Sequence, residues 1–275
     1  MNAFRDCRMG TRTANMKTIA AVALAALVAA SSAWGMGAPP KGVGVVLMHG
    51  KGGAPRGAIA ALASGLESAG YLVALPTMPW SEYRNFDRGF DDSLTEIDEL
   101  VADLRSRGAT RIVVGGHSIG ANVAIGYGAR RDGIAGIVAI APGHVPGLWG
   151  GGGRFDASLR KARAMIAAGQ GDTAAEFDDI NQGRKFTIET TPRIYLGFWE
   201  PDGALVMPDN VPLLRAGTPL LWIIGRRDRM YDRGEHWAYS KAPPHPNNAY
   251  VVVEGGHRVT PEVGMDDIIA WLNRL

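Results

Sequence analysis

Branched aliphatic residues gather in short runs along this chain, and between the runs apolar side chains return every three or four positions. Val43-Gly44-Val45-Val46-Leu47-Met48 is one such run, and it ends in the glycine-rich turn His49-Gly50-Lys51-Gly52-Gly53. A continuous apolar run suits a strand covered on both faces, as in a parallel sheet. A helix is expected over residues 55–69 and a short strand over 71–75. Leu94, Ile97, Leu100, Val101 and Leu104 then recur at helical spacing, behind Asp91, Asp92 and Ser93 as available caps. Arg111 to Val114 reads as the next strand, 118–130 as a helix, and Ile137 to Ile140 as another strand.

There the alternation stops. From Pro142 to about Gly217 no clear buried strand is evident, although Leu159, Ala162, Met165 and Ile166 fall at helical spacing. So long a stretch within one domain needs structure of its own, and a helical lid inserted over residues 142–217 is expected. Strands return at Leu220 to Ile224 and Tyr250 to Val253, with a helix near 234–240 between them. Thr260-Pro261 opens a last helix, whose Val263, Ile268, Ile269, Trp271 and Leu272 face the sheet. Strands and helices in turn predict an α/β fold: a mostly parallel central sheet with helices on both faces and the lid inserted after the strand at about 135–140.

At 275 residues, 46% of them hydrophobic, one domain with an insertion fits better than two domains. The formal charge of +2 does not mark a nucleic-acid partner, because Arg5, Arg8, Arg12 and Lys17 against Asp6 supply the excess at the front. Those cations precede an apolar stretch, Ile19 to Ala30, and the small residues Ser31-Ser32-Ala33. Basic, then apolar, then small is the order of a secretory signal peptide. Residues 1–35 are therefore expected to direct export to the periplasm or outside the cell, with cleavage near 33–35 and translation starting at Met1 or Met16. The alternative is an uncleaved anchor, against which the apolar run is short for a span of roughly 20 residues. Once the signal is cleaved, no membrane anchor is expected. Cys7, the one cysteine, precedes the apolar stretch, so the mature chain has no thiol for a disulfide, a nucleophile or a thiolate metal site.

Candidate chemistry begins at Gly116-His117-Ser118-Ile119-Gly120, where a strand is expected to end and a helix to begin. A serine on that sharp turn projects its hydroxyl from the sheet edge, and the flanking glycines remove side chains that would collide with backbone. A serine hydroxyl is a weak nucleophile until a base takes its proton. His257 follows the last strand directly, which brings it to the same edge; His144 and His236 are the next candidates. The carboxylate that orients the base is expected at Asp228, after the strand ending at Gly225, with Asp232 as competitor and a role for Asp232 as helix cap. Backbone N–H groups of Lys51 and Ile119 are candidate oxyanion donors. The glycines at 50, 52 and 53 match neither phosphate-loop pattern. Trp80, His144, Trp149, Tyr195, Phe198 and Trp199 can line a substrate pocket or form the insertion's own core.

His49-Gly50, the Ser118 elbow, Asp228 and His257, in that order, resemble the α/β-hydrolase superfamily over nearly all of the chain after the signal, the lid excepted. The resemblance implies a largely parallel sheet, a triad of Ser118, Asp228 and His257 at its carboxyl edge, and hydrolysis through an acyl-enzyme. The sequence departs from larger members in that its first strand follows the signal almost at once, so a sheet of the smaller kind is expected. No cofactor or metal is expected. A small-molecule carboxylic ester is the expected substrate. A peptidase, thioesterase or lactonase would use the same three residues, and a catalytically idle binding protein is the remaining alternative.

Overall fold

The structure is a computed structural model and describes residues 42–149 and 155–275, without the side chains of Leu148 and Trp149. The expected export segment, residues 1–35, lies outside the described residues. Six parallel strands form the central sheet in the order β2-β1-β3-β4-β7-β8. They are β1 (Val43–Met48), β2 (Leu72–Ala74), β3 (Arg111–His117), β4 (Gly136–Ile140), β7 (Leu220–Gly225) and β8 (Ala249–Val253). Strands β1, β4 and β7 are buried at every position, which is why their sequences run apolar without alternation.

Successive side chains of a strand point to opposite faces, and the two faces have separate cores. Val46, Met48, Val114, Ala139 and Trp222 pack on one face with α2 (Phe90–Ser106) and α3 (Ile119–Gly128). Val45, Leu47, Val113, Val138 and Ile223 pack on the other with α1 (Ala60–Ser68) and α10 (Met265–Leu272). All ten residues of α3 are buried, and apart from Asn122 and Tyr127 the helix carries no polar side chain. Chain order reverses between β1 and β3: β1 leads to a helix on one face and β3 to a helix on the other. The carboxyl ends of two such strands open a crevice where ligands bind in open α/β sheets.

Between β4 and β7 lies the expected insertion, and it is not wholly helical. It contains α4 (Pro146–Trp149), α5 (Asp156–Ala167), α6 (Pro192–Trp199) and α7 (Met207–Asn210). It also contains an antiparallel hairpin, β5 (Ala175–Asn181) and β6 (Arg184–Thr190), closed by the two residues Gln182 and Gly183. Both turn residues have positive φ, 50° and 82°, which suits a tight turn whose twist matches the strands. The hairpin escapes a search for apolar alternation because β6 buries only Ile188 and Thr190, while β5 buries Asp179 beside Ile180.

Candidate active site

Ser118 joins β3 to α3 with φ 57° and ψ −119°, a state that L-residues seldom adopt. The glycines two positions to either side make this bend possible. A Cβ on Gly116 would lie 2.6 Å from the carbonyl carbon of Gly120, and one on Gly120 would lie 2.8 Å from the His49 carbonyl oxygen. The bend delivers the Ser118 hydroxyl to His257, Oγ donating to Nε2 at 2.9 Å. On the far side of the ring, Nδ1–H donates to Asp228 Oδ2 at 2.7 Å. The second Asp228 oxygen accepts the Met230 N–H at 2.8 Å, and the carboxylate side chain is 1% exposed. The structure thus brings together the three side chains selected from the sequence. Asp232 lies exposed in the first turn of α8 (Tyr231–Trp237).

The loops that carry Asp228 and His257 are tied to each other. Arg226 and Arg227 donate backbone N–H groups to Val253 and Gly255, and Thr260 Oγ1 donates to the Gly256 carbonyl at 3.0 Å. His117 adds a brace that the sequence reading did not foresee: its Nε2–H donates to the His257 carbonyl at 2.9 Å. The two rings lie 4.9 Å apart. Burial, reinforced by the nearby His257, lowers the His117 pKa from 6.5 to about 4, which keeps that ring neutral. Gly143 was also not foreseen. A Cβ there would come within 2.7 Å of His257 Cε1 and 3.3 Å of Ser118 Oγ, so only glycine leaves the hydroxyl open. Asn122, wholly buried in α3, holds the next residue by donating to the His144 carbonyl at 2.6 Å and accepting its N–H at 3.2 Å.

The turn after β1 is fixed by the Gly52 N–H on the Trp80 carbonyl and the Gly53 N–H on the Gly50 carbonyl. The N–H groups of Lys51 and Ile119 have no protein acceptor among the described residues, as two oxyanion donors require. The Lys51 ammonium points the other way, into the insertion, and reaches Asp179 Oδ1 at 2.6 Å and the Ile180 carbonyl at 3.1 Å. The same Asp179 oxygen accepts the Ile180 N–H and the Trp199 indole N–H. Burial pushes the Lys51 pKa down, against the pull of the Asp179 charge.

Of the two readings of the aromatic residues, pocket lining or core, the structure favours the core. Trp80, His144, Tyr195, Phe198 and Trp199 are at most 2% exposed, and none lines the cleft beside Ser118. Phe177, Tyr195 and Trp199 stack at 4.5 and 4.8 Å, and Phe86 meets Phe198 and Trp199 edge-on. His144 donates Nε2–H to the Phe198 carbonyl, and Trp80 donates its indole N–H to the His49 carbonyl. Large rings packed on one another make a core, and these rings seat the insertion on α3 and the sheet. The side chain of Trp149 lies outside the described residues.

A cleft of about 700 Å³ opens at Ser118 and His257 and runs between the loop at residues 50–59 and the hairpin turn. A smaller cavity of about 80 Å³ touches His257 and Asp228 and is lined also by Gly143, Ile180 and Arg229. Among the described residues no group of three or more His, Cys, Asp or Glu could hold a metal ion.

Comparison with known proteins gives the same picture. The model of the alpha/beta hydrolase family matches residues 45–270. No curated protein matches the chain in sequence at a significant level. Among solved structures, a highly thermostable carboxyl esterase from Bacillus coagulans aligns with TM-score 0.64 at 17% identity, over 86% of this chain and 91% of the other. A structure described with LipS and LipT, two metagenome-derived lipolytic enzymes, aligns with TM-score 0.61 at 19% identity, over 86% and 96%. The monoacylglycerol lipase of Paleococcus ferrophilus gives TM-score 0.59 at 18% identity, again over 86% and 96%. At such identities the likeness is one of fold.

Proposed function

This chain belongs to the α/β-hydrolase family, and on that premise we propose that it is a serine hydrolase cleaving carboxylic esters of small molecules through an acyl-enzyme. The observation that carries the proposal is the continuous relay from Ser118 through His257 to Asp228, with bonds of 2.9 and 2.7 Å. In this reading Ser118 attacks the ester carbonyl carbon while His257 Nε2 takes its proton. Asp228 holds the ring in the tautomer with Nε2 free and stabilises the imidazolium that forms. The carbonyl oxygen becomes an oxyanion between the N–H groups of Lys51 and Ile119. His257 then protonates the leaving alcohol, and water repeats the sequence on the acyl-enzyme to release the acid and restore Ser118. The esterases and lipases among the structural neighbours support this choice of bond. The reading extends to location: with residues 1–35 as an export signal, the enzyme acts in the periplasm or outside the cell.

A panel of substrates sharing one acyl group and differing in the bond broken tests the proposal. Oxygen esters are expected to be cleaved with much the highest kcat/KM, ahead of thioesters and anilides. Activity is expected to fall on acidification, because the base must enter the reaction unprotonated. Preferential cleavage of amides would replace the esterase reading with a peptidase, and no turnover of any member by a protein whose Ser118 is also inert to a phosphonate would count against catalysis altogether.

A further inference from the structure

The cleft beside Ser118 carries more positive charge than a neutral ester needs. Arg56 on the loop before α1, Arg184 and Lys185 at the start of β6, and Arg258 directly after His257 line it, all four exposed. None of the four side chains has a hydrogen-bond or ion-pair partner among the described residues. Seven other arginines, by contrast, are each paired with a carboxylate. Lys51 also touches the cleft, but Asp179 neutralises it. Glu82 is the one carboxylate among the lining residues. The four cations come from three separate segments that converge only in the fold, so their gathering is a property of the cleft and not of one basic stretch. Like charges crowded in a concave surface repel one another, and their summed field is strongest inside the cleft, where an anion relieves the repulsion. Tyr83 and Phe186, exposed at 75% and 42%, also line the cleft and offer apolar contact to an organic body.

We propose that the ester taken by this site carries an anionic group, a carboxylate or its equivalent, which Arg56, Arg184, Lys185 and Arg258 hold while the ester bond lies at Ser118. The proposal rests on the serine-hydrolase reading and names the substrate class within it. The cations bind and orient the substrate and take no part in bond breaking.

Two matched pairs of esters test it on the purified protein. 4-Nitrophenyl hydrogen adipate against 4-nitrophenyl hexanoate places the charge on the acyl side. 4-Acetoxybenzoate against its methyl ester places the charge on the alcohol side. In at least one pair the anionic member is expected to win about ten-fold in kcat/KM at low salt, through several exposed charges each contributing a few-fold. That ratio is expected to fall several-fold in Arg56→Gln and in Lys185→Gln, and to shrink as salt is raised. Turnover of the neutral member reports that each variant is folded. Turnover of both pairs without preference for the anion, or a preference that survives Arg56→Gln/Arg184→Gln/Lys185→Gln, overturns the proposal and leaves the hydrolase reading intact. So does the absence of turnover in a protein whose Ser118 still reacts with a phosphonate. If no ester is cleaved and Ser118 is also inert, the hydrolase reading fails and the anion proposal with it.

Discussion

Ser118 occupies a backbone state that costs about 1–3 kcal/mol, and a protein keeps such strain where the surroundings over-determine it. Gly116 and Gly120 are part of that enforcement. A methyl group on Gly120 would press on the carbonyls of Met48 and His49, neither of which can rotate away as a side chain can. Gly120→Ala is therefore expected to cost about 1–3 kcal/mol in thermal unfolding, in the manner of an overpacked core, and to depress kcat as the elbow shifts. For Asp228→Asn the expectation is different: an unchanged melting temperature to within a few degrees, and a fall in kcat on the order of 10⁴, the size found in serine proteases when the tautomer is lost. Steady-state kinetics on one chromogenic ester reads both variants. His117 is expected to contribute to the acid sensitivity of the fold. Its pKa is lower in the folded chain, about 4, than the ordinary 6.5, so the unfolded chain binds the proton more readily. Its contribution to stability is complete above about pH 6.5 and is lost as the pH falls toward 4, with on the order of 3 kcal/mol at stake. Denaturant melts at pH 7 and pH 4.5 are expected to differ less in His117→Gln than in the parent; an equal difference would assign the acid sensitivity to other buried groups such as His49 and His144, whose pKa values burial also lowers.

Among the elements, the hairpin β5–β6 has the largest role that its sequence does not advertise. Its Asp179 is fully buried and takes the Lys51 ammonium from the turn that follows β1, so a residue of the insertion holds the loop proposed to offer an oxyanion donor. The Asn181 amide donates to the Lys51 carbonyl at 3.1 Å and secures the same loop by its backbone. Removing one partner of such a pair strands a charge in the interior. Asp179→Ala is therefore expected to cost about 3–5 kcal/mol, whereas Lys51→Met/Asp179→Leu is expected to recover most of that loss. Differential scanning calorimetry distinguishes the two, and a double variant no better than Asp179→Ala would show that the pair contributes more than mutual neutralisation. The hairpin was not legible beforehand, because an internal aspartate and a mostly solvated partner strand erase the apolar alternation by which strands are recognised. The turn Asn181-Gln182-Gly183-Arg184 was the surviving cue, since glycine accepts the positive φ that the second turn residue adopts. The sequence left the aromatic residues between pocket and core for a related reason. Composition shows that large rings are present, while only packing shows that Phe177, Tyr195 and Trp199 satisfy one another in a stack.

At the scale of the molecule, the order of strands accounts for the site. Because β1 and β3 send their helices to opposite faces, their carboxyl ends part, and the turns bearing Lys51 and Ser118 flank the gap. Asp228 after β7 and His257 after β8 reach the same rim from the other side of β4. This much could be read from the sequence, because Ser118, Asp228 and His257 each lie shortly beyond a branched aliphatic run, ending at Val114, Ile224 and Val253, and strands that run parallel bring such positions to one edge. The supports could not be read: His117, Asn122 and Gly143 act through contacts between segments whose proximity only the fold creates. The central claim is that Ser118 is a nucleophile activated by His257, and labelling with a serine-directed phosphonate followed by peptide mass spectrometry tests it most directly. The expected result is a single adduct on Ser118, absent in Ser118→Ala and slowed by orders of magnitude in His257→Ala. An adduct on another residue, or labelling of Ser118 at the same rate without the His257 imidazole, would contradict it.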